Sequence, residues 1–157
     1  MKTSIIALIA LLTTGTAQAL KIKQPKAELP PLPALVDYII DGDTFWAYVE
    51  LANGAVIRTK IRFMNNDAPE MSGECERERK LAIASRDRLG EIIPVGGKVR
   101  LTDIKDDKYQ GRIDAYVLNE DGDVGEQMIK EGHAVPYSGG KRNPWCTKAE
   151  IAAENRP

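Results

Sequence analysis

Apolar and polar side chains alternate along residues 35–64 in a way that predicts three consecutive strands. Residues 35–40 form a short apolar run. Residues 44–51 then set Phe45, Ala47, Val49 and Leu51 against Thr44, Trp46, Tyr48 and Glu50. After Asn53-Gly54, a pair suited to a tight hairpin, residues 55–64 place Ile57, Thr59, Ile61 and Phe63 on one face and Arg58, Lys60 and Arg62 on the other. The period then changes. Residues 76–89 lack Gly and Pro and bring Leu81, Ala84, Ser85 and Leu89 to one side, which predicts a helix. Beyond Pro94 and Gly96-Gly97 come two more strands, at 98–105 and 112–118, the second pointing Ile113, Ala115 and Val117 inward. A turn at Asp121-Gly122 leads to a short helix over 124–131, capped by Gly132.

This order predicts an α+β, mainly β fold: a five-stranded Greek-key OB-type barrel with a helix inserted after strand 3 and a second short helix after strand 5. Residues 1–19 stand apart. Lys2, an apolar run from Ile5 to Leu12 and a closing Ala17-Gln18-Ala19 have the three parts of a signal peptide, and the run is too short to span a bilayer. Export to the periplasm or the medium is therefore expected, with no membrane association after cleavage. Residues 20–34, with Pro25, Pro30, Pro31 and Pro33 among lysines, read as an extended lead. The domain is expected over 35–146 and a polar tail over 147–157, with at most a fraying helical turn in it.

Export changes the reading of the two cysteines. In an oxidising compartment Cys75 and Cys146 are expected to pair. A metal pair would want more Cys or His at short spacing and a reactive thiol would want a base, while His133 is the only histidine and reads as a surface residue.

The chemistry concentrates in two acidic clusters at strand ends, Asp41-Gly42-Asp43-Thr44 and Asp67-Ala68-Pro69-Glu70. Brought together by a barrel, they would offer carboxylate and carbonyl oxygens to a hard cation such as calcium; taken singly, each is also ordinary turn chemistry. Arg62 precedes the second cluster, and Arg112 opens the last strand after Asp107-Lys108-Tyr109-Gln110-Gly111. A guanidinium's planar fork suits phosphate, although an arginine alone reads equally as a surface charge. Lys141 and Arg142, after Gly139-Gly140, read equally as phosphate contacts or as solvated loop charges, and Trp46 and Tyr48 as packing residues.

In this order, D-G-D-T, an Arg-bearing strand running into D-A-P-E, and D-K-Y-x-G-R resemble the staphylococcal nuclease (thermonuclease) family, over residues 35–137. The resemblance implies a calcium-dependent nuclease that hydrolyses phosphodiester bonds of DNA and RNA with low sequence specificity, preferring single strands and leaving 3′-phosphate ends. It makes Asp43, Asp67 and the backbone carbonyl of Ala68 the Ca2+ ligands, and Glu70 the general base. Arg62 and Arg112 become the pair on the scissile phosphate, with Lys108, Tyr109 and Tyr137 as substrate contacts. A monomer is expected.

Four features depart from the pattern, the first being an abbreviated C-terminal helix. Asn65-Asn66 stands where an apolar residue is usual, so a buried amide will need partners. Gln110 lengthens the turn before Arg112. The chain carries a formal net charge of −1, or −2 without residues 1–19, whereas nucleic-acid binders are usually basic. The alternative from another class is a non-catalytic OB-fold oligonucleotide-binding module using the Arg58, Lys60 and Arg62 stripe. It would need neither Glu70 nor the aspartates.

Overall fold

The computed structural model describes residues 30–106, 111–142 and 144–155. Five strands, β1 (Leu32–Ile39), β2 (Thr44–Glu50), β3 (Val56–Phe63), β5 (Lys98–Asp106) and β6 (Arg112–Leu118), close into a barrel ordered β1-β2-β3-β6-β5. Closure comes from the parallel pairing of β3 with β6, which sets Ile61 beside Ile113 and Arg62 beside Asp114. Helix α1 (Glu76–Ile92) lies between β3 and β5, and α2 (Val124–Lys130) follows β6. This is the expected barrel with its inserted helix.

The alternation along each strand accounts for the interior. Val36, Phe45, Ala47, Val49, Ile61, Phe63, Leu101, Ala115 and Val117 are nearly or fully buried, joined by Leu89 of α1 and Met128 of α2. Burying side chains of this size contributes about 1.5–3 kcal/mol each. The hairpin at Asn53-Gly54 forms as its chemistry dictates: Gly54 has φ +81°, and the Asn53 carboxamide oxygen accepts from Ala55 N–H.

Three details differ from the sequence expectation. Strand β1 begins at Leu32, inside the expected lead, with Pro33 opposite Arg100. The proline is tolerated because pairing with β2 begins only at Ala34, leaving no partner there for a missing N–H. Ile57 is exposed, in the part of β3 that precedes its pairing with β6, which begins at Lys60. The buried face of α1 is Glu78, Ala82, Ser85 and Leu89 rather than the side through Ala84. A charged residue heads that face, so apolar periodicity alone misplaces it.

Two further elements bind distant segments. Strands β4 (Asn66–Asp67) and β7 (Val135–Pro136) pair antiparallel, two residues each. Beyond Cys146, residues expected as a tail form α3 (Lys148–Glu154), started by a reciprocal capping box between Thr147 and Glu150. Arg77 and Arg79 of α1 pair with Glu150 and Glu154 at 2.8 and 2.9 Å. Cys75 and Cys146 are joined in a buried disulfide with Cα atoms 6.0 Å apart.

That bond crosses 71 residues of sequence, and on the chain-entropy model a loop of such length stabilises the fold by about 4 kcal/mol. Urea unfolding of the Cys75→Ala/Cys146→Ala protein is expected to show a loss of that order. Denatured parent protein should titrate no thiol until reductant is added; two thiols before reduction would refute the bond.

Candidate active site

Both acidic clusters are built by the barrel. The β1–β2 turn at Asp41-Gly42-Asp43 closes on itself, Asp43 N–H donating to Asp41 Oδ1 at 3.1 Å and Ile40 N–H to the Thr44 carbonyl at 3.0 Å. Gly42 is required there by space. A Cβ at that position would sit 2.6 Å from Cβ of Ser85 on α1 and 2.8 Å from Cβ of Ala68, so turn, helix and second cluster meet at one bare backbone.

The second cluster leaves β3 through β4. Asp67 is fully buried and Asp43 almost so. Asp43 accepts from Ala68 N–H at 2.9 Å through Oδ2, and from the Thr44 hydroxyl at 2.7 Å through Oδ1. Arg62 then bridges the two clusters, Nη1 to Asp43 Oδ1 at 2.7 Å and Nη2 to Asp67 Oδ1 at 3.2 Å. Burial opposes the Arg62 charge, but Asp43 and Asp67 outweigh it and hold the guanidinium above its ordinary pKa.

Glu70 sits at the solvent edge of this network, its side chain 38% exposed. Its N–H donates to Glu78 Oε1 at 3.3 Å, and Glu74 N–H to Glu78 Oε2 at 3.0 Å. The buried Glu78 carboxylate thus pins the loop between Glu70 and α1. Gly73 makes room for it, since a Cβ there would fall 2.5 Å from the Glu78 side chain.

Asp41 is a perturbed acid of this turn. Burial, reinforced by the charge of Asp43, pushes its carboxyl up to about 7 from 3.8. The folded value lies above the unfolded one, so ionisation of Asp41 works against the folded state. That cost is absent below about pH 4, grows as pH rises toward 7 and is complete above it. In chelator, the parent is expected to lose stability relative to Asp41→Asn across this window. Parallel stability profiles of the two proteins in urea would refute it.

The other expected site residues are placed less centrally. Arg112 begins β6 opposite Lys60, in the register that sets Arg62 opposite Asp114, so both arginines lie on the outer face of adjacent strands. Lys108, Tyr109 and the Gln110 insertion lie outside the described residues. Tyr137 N–H donates to the Asn65 carbonyl at 3.1 Å and its hydroxyl to the Gly140 carbonyl at 2.8 Å, fixing the loop after β7. Asn65 and Asn66 find partners in part: Asn65 Nδ2 donates to Asp123 at 3.2 Å and Asn66 Nδ2 to the Gly125 carbonyl at 3.5 Å, while both Oδ1 atoms are buried without one. Trp46 and Tyr48 face outward rather than into the core. Arg58 lies 4.2 Å above the Trp46 ring while pairing with Asp37 at 2.6 Å, and Lys60 lies 5.2 Å from the same ring.

Arg142 is the residue that sequence reasoning missed. Expected as a solvated loop charge or a phosphate contact, it enters the acidic cluster: Nε lies 2.7 Å from Asp67 Oδ1, Nη1 2.6 Å from Glu70 Oε1, and Nη2 donates to the Ala68 carbonyl at 2.8 Å. Pairing of β4 with β7 carries the chain past Asp67, and Gly139 and Gly140, at φ +99° and +92°, turn it back. The two glycines before a basic pair were the one available signal.

The donor set suits a hard cation. Asp43, Asp67 and the Ala68 carbonyl offer only oxygen, and Asp67 Oδ2 is buried without a hydrogen-bond partner. Among the described residues no three acidic, His or Cys side chains stand grouped as a ready metal cage; the guanidiniums of Arg62 and Arg142 lie between these oxygens.

Comparison with known proteins identifies the family. Endonuclease YhcR of Bacillus subtilis (strain 168) is 32% identical over 111 residues, which cover 66% of this chain and 9% of the relative. The chain thus spans about a tenth of that relative's length. A family model described as staphylococcal nuclease homologue matches residues 60–156, from Lys60 of β3 through Arg62, Asp67, Glu70 and Arg112. The chain belongs to the staphylococcal nuclease family.

Proposed function

We propose that this chain is an exported, calcium-dependent nuclease that hydrolyses phosphodiester bonds of DNA and RNA with low sequence specificity and leaves 3′-phosphate ends. The observation that carries the reading is one bonded network containing two buried aspartates, a solvent-edge glutamate and a bridging arginine. Family membership and the name of the YhcR relative support it. The buried disulfide supports export.

Asp43, Asp67 and the Ala68 carbonyl are the residues that would hold Ca2+, which when bound would neutralise charge on a phosphoryl oxygen. The other roles belong to the chain. Glu70 is exposed enough to meet a water and takes its proton. Arg62, oriented by two carboxylates, and Arg112 on the adjacent strand present forks to the charge that develops on the phosphate. Tyr137 borders the same cluster, where stacking on an unpaired base would suit single strands.

The purified chain should degrade single-stranded DNA and RNA in calcium, stop in chelator, and leave 3′ ends that accept an added 5′-phosphorylated donor in ligation only after a 3′-phosphatase has acted. Oligonucleotide binding without hydrolysis in either condition would return the chain to the class of binding modules. Arg58 and Lys60 would then be its contacts.

A further inference from the structure

We propose that Arg142 is an internal cation of the resting site, holding the acidic oxygens until a divalent metal displaces it. The inference rests on the calcium reading above and adds a residue to it. Its guanidinium touches Asp67 Oδ1, the Ala68 carbonyl and Glu70 Oε1, at 2.7, 2.8 and 2.6 Å. Two of these belong to proposed metal ligands and the third to the proposed base. A divalent ion and Arg142 therefore compete for the same lone pairs.

The two guanidiniums in the cluster are not equivalent. Arg62 projects from a barrel strand, and its side chain is 16% exposed. Arg142 comes from the loop after β7, and its side chain is 36% exposed. Its fit is also incomplete: Nε is close to Asp67 by charge, yet this buried N–H makes no aligned hydrogen bond. Asp67 Oδ2 next to it has no hydrogen-bond partner at all. A planar fork leaves an oxygen unused that a spherical ion would take. The two guanidiniums offset most of the negative charge of the cluster. Asp43, Asp67 and Glu70 face Arg62 and Arg142, so withdrawal of Arg142 leaves an excess of negative charge that a divalent ion would offset.

Displacement has two consequences. Metal affinity is lowered by the fraction of molecules in which Arg142 is engaged. Metal binding also releases Glu70 from its ion pair, so the proposed base is freed only when the cation is present.

The test is calorimetric titration with CaCl2 alone, without nucleic acid, of the parent, Arg142→Ala, Arg142→Gln and Arg86→Ala. The last removes one positive charge from an exposed pair with Asp87 on α1. If the engaged form outnumbers the open one by about ten to one, removal of the side chain tightens calcium binding about tenfold. Arg86→Ala should leave the affinity within about twofold. Repulsion without occupancy would also tighten binding, so the second readout is the Arg142 Nε–H resonance, assigned by its loss in Arg142→Gln. Calcium should shift and broaden it toward a solvent-exposed signal. Equal calcium affinity in parent and both Arg142 variants, or an Arg142 signal unmoved at saturating calcium, overturns the proposal while leaving the calcium site standing. Absence of calcium binding in every protein overturns both.

Discussion

Glu70→Gln is expected to lower single-turnover hydrolysis of a single-stranded oligonucleotide by on the order of a hundredfold or more, the usual cost of losing a general base. The substitution isolates chemistry from architecture. Glutamine keeps the length of the side chain and an oxygen that can still accept from Arg142 Nη1, now 2.6 Å from Glu70 Oε1. Its backbone N–H still reaches Glu78, so the loop into α1 should keep its place. Oligonucleotide affinity and the midpoint of urea unfolding are therefore expected to stay close to the parent. Cleavage at the parental rate would remove Glu70 from the role of base. A large loss of affinity would instead make it a substrate contact.

The residues that can be read from sequence and those that cannot differ in how far apart their partners lie. Phe45, Ala47, Val49, Ile61 and Phe63 declare their burial because a period of two is local and the barrel keeps it. Asp43 and Asp67 stand out for a related reason: Asp43 immediately precedes β2 and Asp67 follows β3, both legible strands, and hairpin pairing of β2 with β3 sets Thr44 opposite Arg62, which brings those ends together. Arg142 was illegible. Its position depends on two-residue strands at Asn66–Asp67 and Val135–Pro136, too short to carry a pattern. Glu78 was hidden for the opposite reason. A charged residue at the head of the buried face of α1 looks like solvent exposure until its backbone partners, Glu70 and Glu74, are in view. Helix α3 has a readable capping box, but its polar surface gives no apolar face; the disulfide and the pairs to Arg77 and Arg79 hold it. Local chemistry thus specified the barrel and the first layer of the site, while the contacts that close over that site are long-range and polar.

The second large effect is expected from Arg62→Ala, and it should appear in stability as well as in turnover. Arg62 is the bridge between Asp43 and Asp67, side chains 2% and 0% exposed. Its removal leaves Asp43 with only the Thr44 hydroxyl and the Ala68 N–H, and Asp67 with Arg142. Losing one partner of a buried ion pair costs about 3–5 kcal/mol because the remaining charge is stranded. With Arg142 still beside Asp67, a loss of about 3 kcal/mol in chelator is expected. Calcium should restore part of it, since a ligand that binds only the folded state stabilises by about 2.7 kcal/mol at a hundredfold excess over its Kd. The increment should be larger in the variant than in the parent, because the aspartates no longer share their charge with Arg62. Turnover should not recover in parallel. The cation can replace the charge between Asp43 and Asp67, but it cannot replace a fork aimed at phosphate oxygens. Arg62→Lys, keeping charge without the fork, should recover most of the stability and little of the turnover. Urea unfolding of parent, Arg62→Ala and Arg62→Lys, with and without calcium, beside single-turnover cleavage, separates these effects. A loss below about 1 kcal/mol in chelator would place the pair among surface bridges of small worth, and an equal calcium increment in all three proteins would mean that the metal does not share the aspartates with Arg62.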